Sequence, residues 1–493
     1  MNETTEETLA KRALRVAIIG AGASGIAAAI RLVEDGNDDV TIFEKASDVG
    51  GTWRDNVYPG LACDVPSHLY RYSFAPNPDW KTEYASGPDI LAYLRNVSQK
   101  RGIVDLIRFD SEVLSARFEK QAWHIVSSRG DEGSFDIVIA AMGVLHKPVL
   151  PDIPGRDDFA GKAFHSSRWD RSLDLSGKRV GIIGAGSTAV QILPAIIDDV
   201  ASVALFMRTP QWVVPVANRP FPEEKKARFR NEPQAMDALY DLLADRFNSR
   251  FAAALVGENP EGLAEITQAC QDNLANNVHD SDLRRRLTPN YAVGCKRLVV
   301  SDRFYPALQR PNARLVDGRI AAIEAAGMRM SDGSLIELDV LVYATGFDPF
   351  NFFRPMTITG EDGLDLGTLW EHSSTALRSV AVPGFPNLFF LGGPNSPIGN
   401  FSFLMTAETQ LDYIRGLIGL IRDGACRTLA PKPKVTAAWQ AEIDAAMDRT
   451  VWVTGGCHSW YVDRSGKVAS WPWTYERFRQ ELGTPRLDEF DLS

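Results

Sequence analysis

Two stretches of this sequence, ALRVAIIGAGASGIAAAIRL and GKRVGIIGAGSTAVQILPAI, set an apolar run, a glycine-rich turn and an apolar-periodic segment in the same order. Short apolar runs ending in glycine read as buried strands, and the segment after each glycine turn has helical spacing. A further apolar run comes after each helix, VTIF from Val40 and VALFMR from Val203. Both stretches therefore read as β-α-β units. Such units pack into parallel sheets with helices on both faces, and a second copy this far along the chain calls for a second sheet. The expected fold class is α/β, with two Rossmann-like dinucleotide-binding domains.

The turns carry the chemistry. Gly20, Gly22 and Gly25 stand in a G-x-G-x-x-G pattern, where absent side chains allow a tight turn, close approach of a pyrophosphate and close helix packing. The helix start, with Ser24, then points unpaired N–H groups at the phosphates. Glu44 ends the following strand and is placed to accept hydrogen bonds from the hydroxyls of an unphosphorylated ribose. The second turn has Gly184, Gly186 and Ala189, with Ser187 and Thr188 opening the helix and Gln191 one turn in. Its counterpart of Glu44 is Arg208, followed by Thr209. A guanidinium can hold a ribose 2′-phosphate that a carboxylate would repel. FAD is thus expected in the first fold and NADPH, in preference to NADH, in the second, a pair that supports hydride transfer from nicotinamide to flavin.

Two later segments, DIVIAAMGVLHKP and ELDVLVYATGF, share an acidic start, an apolar run and a glycine exit, and each is expected to close one fold. The expected organisation is an FAD-binding domain over 1–147, completed by 386–493, and an NADP-binding domain over 148–221, completed by 291–385. Between the two NADP-binding parts, 222–290 is rich in Ala, Glu, Arg and Leu at helical spacing, a helical insertion expected to cover the sheet. A balance of 53 basic against 63 acidic side chains, net −10, argues against nucleic acid or an anionic membrane surface as partner. An uninterrupted apolar run of about 20 residues, which a membrane span needs, does not occur. The acid-rich lead does not resemble a secretory signal. The five cysteines, at 63, 270, 295, 426 and 457, are scattered, odd in number and without a C-x-x-C pair. No disulfide framework is expected, and a cytoplasmic location fits best.

Phe159, Gly161, His165, Trp169 and Asp170 in FAGKAFHSSRWD, and the stretch GGTWRDNVYPGLACD from Gly50 to Asp64, carry a resemblance to a known family. They match F-x-G-x-x-x-H-x-x-x-W-[PD] and [AG]-G-x-W-x-x-x-x-[FY]-P-[GM]-x-x-x-D, and on these two patterns the chain resembles the type I Baeyer-Villiger monooxygenases over nearly its whole length. The resemblance implies that FAD is lined by Gly51, Thr52, Trp53, Asp64 and Tyr70, with Val113 in the adenine-contacting segment. In GCKR it implies that Lys296 reaches the 2′-phosphate and Arg297 enters the flavin site. It further implies that NADPH and O2 are used to convert a small-molecule ketone to an ester or lactone through a flavin C4a-peroxide. Arg297 would stabilise that anion and the ensuing adduct, with Asp64 holding Arg297. His165 is grouped with these two catalytic residues and is expected to couple the domains rather than transfer a proton.

Two other activities share both nucleotide folds: an N- or S-oxygenating flavin-containing monooxygenase, which would not need Arg297, and a flavin-dependent NADPH reductase. The sequence departs from well-known family members in its shorter length, its Leu61-Ala62 pair and its Trp- and Tyr-rich tail. Asn395 and Ser396 are expected either beside the flavin or in a core turn. Trp452, Trp460 and Tyr461 either line the substrate entrance or pack the C-terminal core, and packing is the expectation.

Overall fold

Strands buried on both faces need continuous apolar runs, and the two glycine-turn units supply them. The structure, a computed structural model, describes residues 12–493 apart from 352 and 400. β1 (Arg15–Ile19), β2 (Asp39–Phe43), β3 (Ile107–Arg108) and β4 (Ile137–Ala140) belong to a first parallel sheet. β5 (Lys162–His165), β6 (Arg179–Ile183), β7 (Ser202–Phe206), β8 (Ala313–Val316) and β9 (Val340–Tyr343) form a second, also parallel, in the order β8-β7-β6-β9-β5. The chain then returns with β10 (Leu388–Phe390) to the edge of the first, whose order is β10-β4-β1-β2-β3.

In each sheet the strand before the glycine turn is central, and its neighbours on either side lead the chain in opposite directions. That is the topological switch point at which a crevice opens beyond the strand ends. The repeat extends to single hydrogen bonds. Gly20 N–H donates to the Phe43 carbonyl at 2.8 Å, and Gly184 N–H to the Phe206 carbonyl at 3.0 Å. Both glycines take positive φ, +104° and +143°, and a Cβ would stand 2.8 Å from the Ala141 oxygen in the first case and 2.2 Å from the Ala344 oxygen in the second. Helix α1 (Ala23–Glu34) follows the first turn and α2 (Ser187–Ile196) the second.

The two connections between the folds run side by side. Pro148 and Phe347 bridge antiparallel, Val149 N–H donates to the Gly346 carbonyl at 3.0 Å, and Asp348 N–H to the Lys147 carbonyl at 3.0 Å. Helices fill 223–287, where Cys270 joins the larger apolar core and Leu274, one turn later, the core of the second sheet. The helix Phe403–Arg422 buries Leu404, Leu411, Ile414, Leu417, Ile418 and Ile421, a helical repeat of one apolar face. Arg415 fixes it to the end of α1 through both oxygens of Asp35, at 2.6 and 2.7 Å. Among the described residues no helix is long and apolar enough to cross a membrane.

One expectation from the sequence is corrected. Cys295 and Cys457 form a disulfide across 162 positions, while Cys63, Cys270 and Cys426 are free thiols. Spacing in the sequence gave no hint of the pair, because the fold alone brings the tail back beside the GCKR segment. Closing so long a loop constrains the unfolded chain, an effect of about 2–4 kcal/mol for typical disulfides. The Cys457→Ser variant is expected to lose that much stability in denaturant titrations. Identical curves for variant and wild type under non-reducing conditions would show the bond to be without effect.

Candidate functional site

A continuous cavity of about 780 Å³ is lined by both glycine turns, Gly20 and Gly22 from the first and Gly184 and Gly186 from the second. Its size falls in the range of small-molecule and cofactor sites. Ser24 and Glu44 line it beside the first turn, and Ser187, Thr188 and Gln191 beside the second. Gly51, Thr52, Trp53, Tyr70 and Val113 add to the first fold's wall, and Asp64 and Arg297 stand in the same cavity. Gly25 packs beneath its turn: a Cβ there would lie 1.9 Å from the Gly20 oxygen.

Glu44 is buried, and its carboxylate accepts from Ala21 N–H at 2.9 Å, Ala46 N–H at 3.0 Å and Arg54 Nη1 at 2.9 Å. A carboxylate offers about four acceptor positions, so one direction remains for a ligand hydroxyl. Arg54 was missed in the sequence because it occupies an unspecified position of the Gly50–Asp64 pattern. Trp53 donates from Nε1 to the Tyr70 hydroxyl at 3.1 Å, and the rings meet edge to face. Burial pushes the Tyr70 phenol well above its ordinary range, so it stays protonated.

Arg297 donates from Nε at 3.0 Å and from Nη2 at 2.6 Å to a single oxygen, Oδ2 of Asp64. Burial alone would lower the pKa of this guanidinium, but Asp64, together with Tyr461 and Cys63, more than offsets it and the net shift is upward. Tyr461 lies within the same electrostatic environment, pushed up to about 12 by burial with Arg297 acting against that. Lys296, next in the chain, sits over the Tyr291 ring at 4.9 Å. Burial and then the charge of Arg208 hold its pKa below the usual lysine value. Arg208 is exposed and Thr209 half-buried, just past the end of β7.

His165 does not line the cavity. It ends β5, buried, with Nε2 3.0 Å from the Gly346 carbonyl and Nδ1 2.9 Å from the Ser167 hydroxyl. A carbonyl only accepts, so Nε2 carries the proton. Nδ1 then accepts from Ser167 N–H at 3.2 Å. The neutral ring thus braces the loop that joins the folds. Asn395 and Ser396 are taken up by Gln440 and Gln410, at 2.9 and 2.8 Å, and belong to a core turn rather than to the main cavity wall. Trp452 and Tyr461 are buried and packed, whereas Trp460 reaches the main cavity.

Residues 13–358 match the flavin-binding monooxygenase-like family. An uncharacterized monooxygenase of Mycobacterium tuberculosis is 44% identical, over 97% of this chain and 96% of the relative. A Baeyer-Villiger monooxygenase of Streptomyces coelicolor is 40% identical, over 97% of this chain and 92% of the relative. Among solved structures, OTEMO in complex with FAD and NADP superposes with a TM-score of 0.88 at 26% identity, covering 98% of this chain and 100% of that one.

The hydrogen bonds of His165 set a pH dependence. Burial lowers its pKa below the ordinary 6.5, and the Gly346 contact only partly opposes this. The unfolded chain therefore takes up the proton first, and stability present above pH 6.5 is lost as pH falls toward the folded value. His68, buried among Phe221 and Phe229, is lowered to about 4 by burial and adds to the same acid loss. In His165→Gln, whose amide can still donate to Gly346, thermal melts between pH 7.5 and 5 are expected to slope less steeply than in wild type, by the His165 share. Parallel melting curves for the two proteins would refute the assignment.

Proposed function

The chain belongs to the flavin-binding monooxygenase-like family, within its Baeyer-Villiger branch, and on that premise we propose an NADPH- and O2-dependent FAD enzyme that converts a ketone to an ester or lactone. The supporting observation is one cavity shared by two dinucleotide turns, with an ion-paired arginine in its wall. We assign 1–147 and 386–493 to the FAD fold, 148–221 and 291–385 to the NADP fold, and 222–290 to a helical insertion. The proposed compartment is the cytoplasm, a reading that the three free thiols support and the Cys295–Cys457 bond opposes.

The cradle at each turn fits a dinucleotide. A Cβ on Gly22 would meet only the Gly51 Cα, at 3.8 Å, and one on Gly186 nothing within 4 Å, so at both turns backbone faces open cavity where a pyrophosphate can approach. Glu44 would hold the adenosine ribose of FAD, and Trp53, Tyr70 and Val113 its flanks. Arg208 and Lys296 would hold the 2′-phosphate of NADPH, with Thr209 adding a hydroxyl.

Bound FAD supplies the passage of two electrons from NADPH to O2 and the delivery of one oxygen atom, so that ketone, O2, NADPH and a proton give ester, NADP+ and water. Asp64 occupies Nε and Nη2 of Arg297, which among the described residues leaves Nη1 as the guanidinium's unengaged end. A fixed, permanently charged donor of this kind stabilises negative charge as it develops on a substrate carbonyl oxygen. Lysine, a compact charge on a flexible stem, would not reproduce the planar fork.

Replacing Arg297 with Ala is expected to lower ester formation by about 10²–10³-fold, with NADPH still reducing the flavin. Unchanged ester yield in the variant would remove the role given to Arg297, and a wild type giving no ester from linear, cyclic and aryl ketones, followed by mass spectrometry, would defeat the proposal in favour of an N- or S-oxygenating enzyme. In Arg208→Ala the loss of a charge-assisted contact to the 2′-phosphate should raise KM for NADPH by about tenfold or more and leave KM for NADH unmoved. Equal effects on both nucleotides would remove Arg208 from the phosphate site.

A further inference from the structure

Both partners of the Arg297–Asp64 pair are anchored to the same helix, α2, whose first turn carries Ser187 and Thr188 on the cavity wall. On the Asp64 side the anchor is Gln191. Its Nε2 donates to the Ala62 carbonyl at 2.9 Å, and its Oε1 accepts from the Tyr58 hydroxyl at 2.9 Å. Between these points Gly60 lies against the helix backbone: at φ +80°, a Cβ there would be 2.4 Å from the Gln191 oxygen. The loop 58–64 is therefore gripped twice, and Asp64 follows two residues after the second grip.

On the Arg297 side the anchor is Arg303. Its Nη2 donates to the Pro194 carbonyl at 3.1 Å, one of the last four carbonyls of α2, which have no partner within the helix. A cation there also suits the negative end of the helix. The Ser301 hydroxyl accepts from Arg303 N–H at 3.2 Å and Phe304 N–H at 3.1 Å, so the segment after Arg297 is itself stiffened.

We propose that Gln191 and Arg303 are positioning residues that tie the Arg297–Asp64 pair to α2, so that a nucleotide held at the start of α2 sets where Arg297 points. Gln191 then acts through the loop rather than on the nucleotide, and the inference rests on the proposed function for what Arg297 does once placed. Oxygen transfer and nucleotide occupancy are coupled through one rigid element, without contact between Arg303 and either ligand.

The test uses the FAD-loaded enzyme, with amide hydrogen exchange measured with and without NADP+ and no turnover required. In wild type NADP+ is expected to slow exchange in both 58–64 and 297–303. Gln191→Met, of similar length and without hydrogen bonds, should lose the effect in the first segment. Arg303→Met should lose it in the second, and Arg303→Lys should restore it. With a ketone that wild type oxygenates, the two Met variants should give about fivefold less ester per NADPH consumed, peroxide making up the difference, and an NADP+ dissociation constant changed by less than about twofold. The inference is overturned if NADP+ leaves both segments of wild type unchanged, or if the Met variants keep the wild-type ester yield. A tenfold weaker NADP+ affinity in Gln191→Met would also overturn it, by making Gln191 a nucleotide contact. A wild type that oxygenates no ketone would instead remove the proposed function, and the exchange result would still decide the coupling.

Discussion

One carboxylate oxygen, Asp64 Oδ2, takes two N–H donors of Arg297 across the seam between the two folds. Removing the carboxylate would leave a half-buried guanidinium without its counter-charge, a smaller loss than the about 3–5 kcal/mol of a fully buried pair. A contact through one acceptor atom fixes the plane of the fork less firmly than a two-oxygen contact would. The aim of Nη1 therefore depends on how well the two backbone segments are held, which makes the surroundings of the pair as important as the pair itself.

The two glycine-turn folds repeat their geometry but invert their electrostatics. In the first, Glu44 is enclosed and its charge is compensated by Arg54 and two peptide N–H groups. It can then serve a neutral diol without demanding a cation from the ligand. In the second, burial and then the charge of the exposed Arg208 lower the pKa of Lys296, and among the described residues neither cation has a carboxylate partner. The same backbone design thus presents a compensated carboxylate beside one turn and two neighbouring cations near the other.

What the sequence made legible is what is local. Strand, turn and helix lie within about twenty residues of each other in both repeats, and glycine at φ above +100° leaves few other options for Gly20 and Gly184. Asp64 and Arg297 were legible through their patterns, although 233 positions separate them. Arg54 was not, because its partner Glu44 is local but its own position in the pattern is unspecified. Gln191 reads as a nucleotide contact from its place in the helix and lines the cavity, but its hydrogen bonds to Tyr58 and Ala62 were not legible. The Cys295–Cys457 bond escapes the sequence for the opposite reason. Cysteine spacing carries information in small disulfide-rich chains, but here the pairing is a consequence of the C-terminal segment folding back on the first sheet.

The two long patterns divide the labour of the fold. In the first, Gly161 leaves no room for a side chain, since a Cβ would lie 2.3 Å from the Asp339 oxygen, and Trp169 packs edge to face on Phe164. His165 then reaches the Gly346 carbonyl, which also accepts from Val149 N–H. Both lone-pair directions of one peptide oxygen are thereby used to hold the paired connections in register. In the second pattern, Tyr58 and Gly60 meet α2, and Asp64 meets Arg297. One pattern fixes where the chain crosses between folds, and the other fixes where the folds touch at the cavity. A side chain outside the cavity wall, such as His165, is thus held by as many hydrogen bonds as one that lines it.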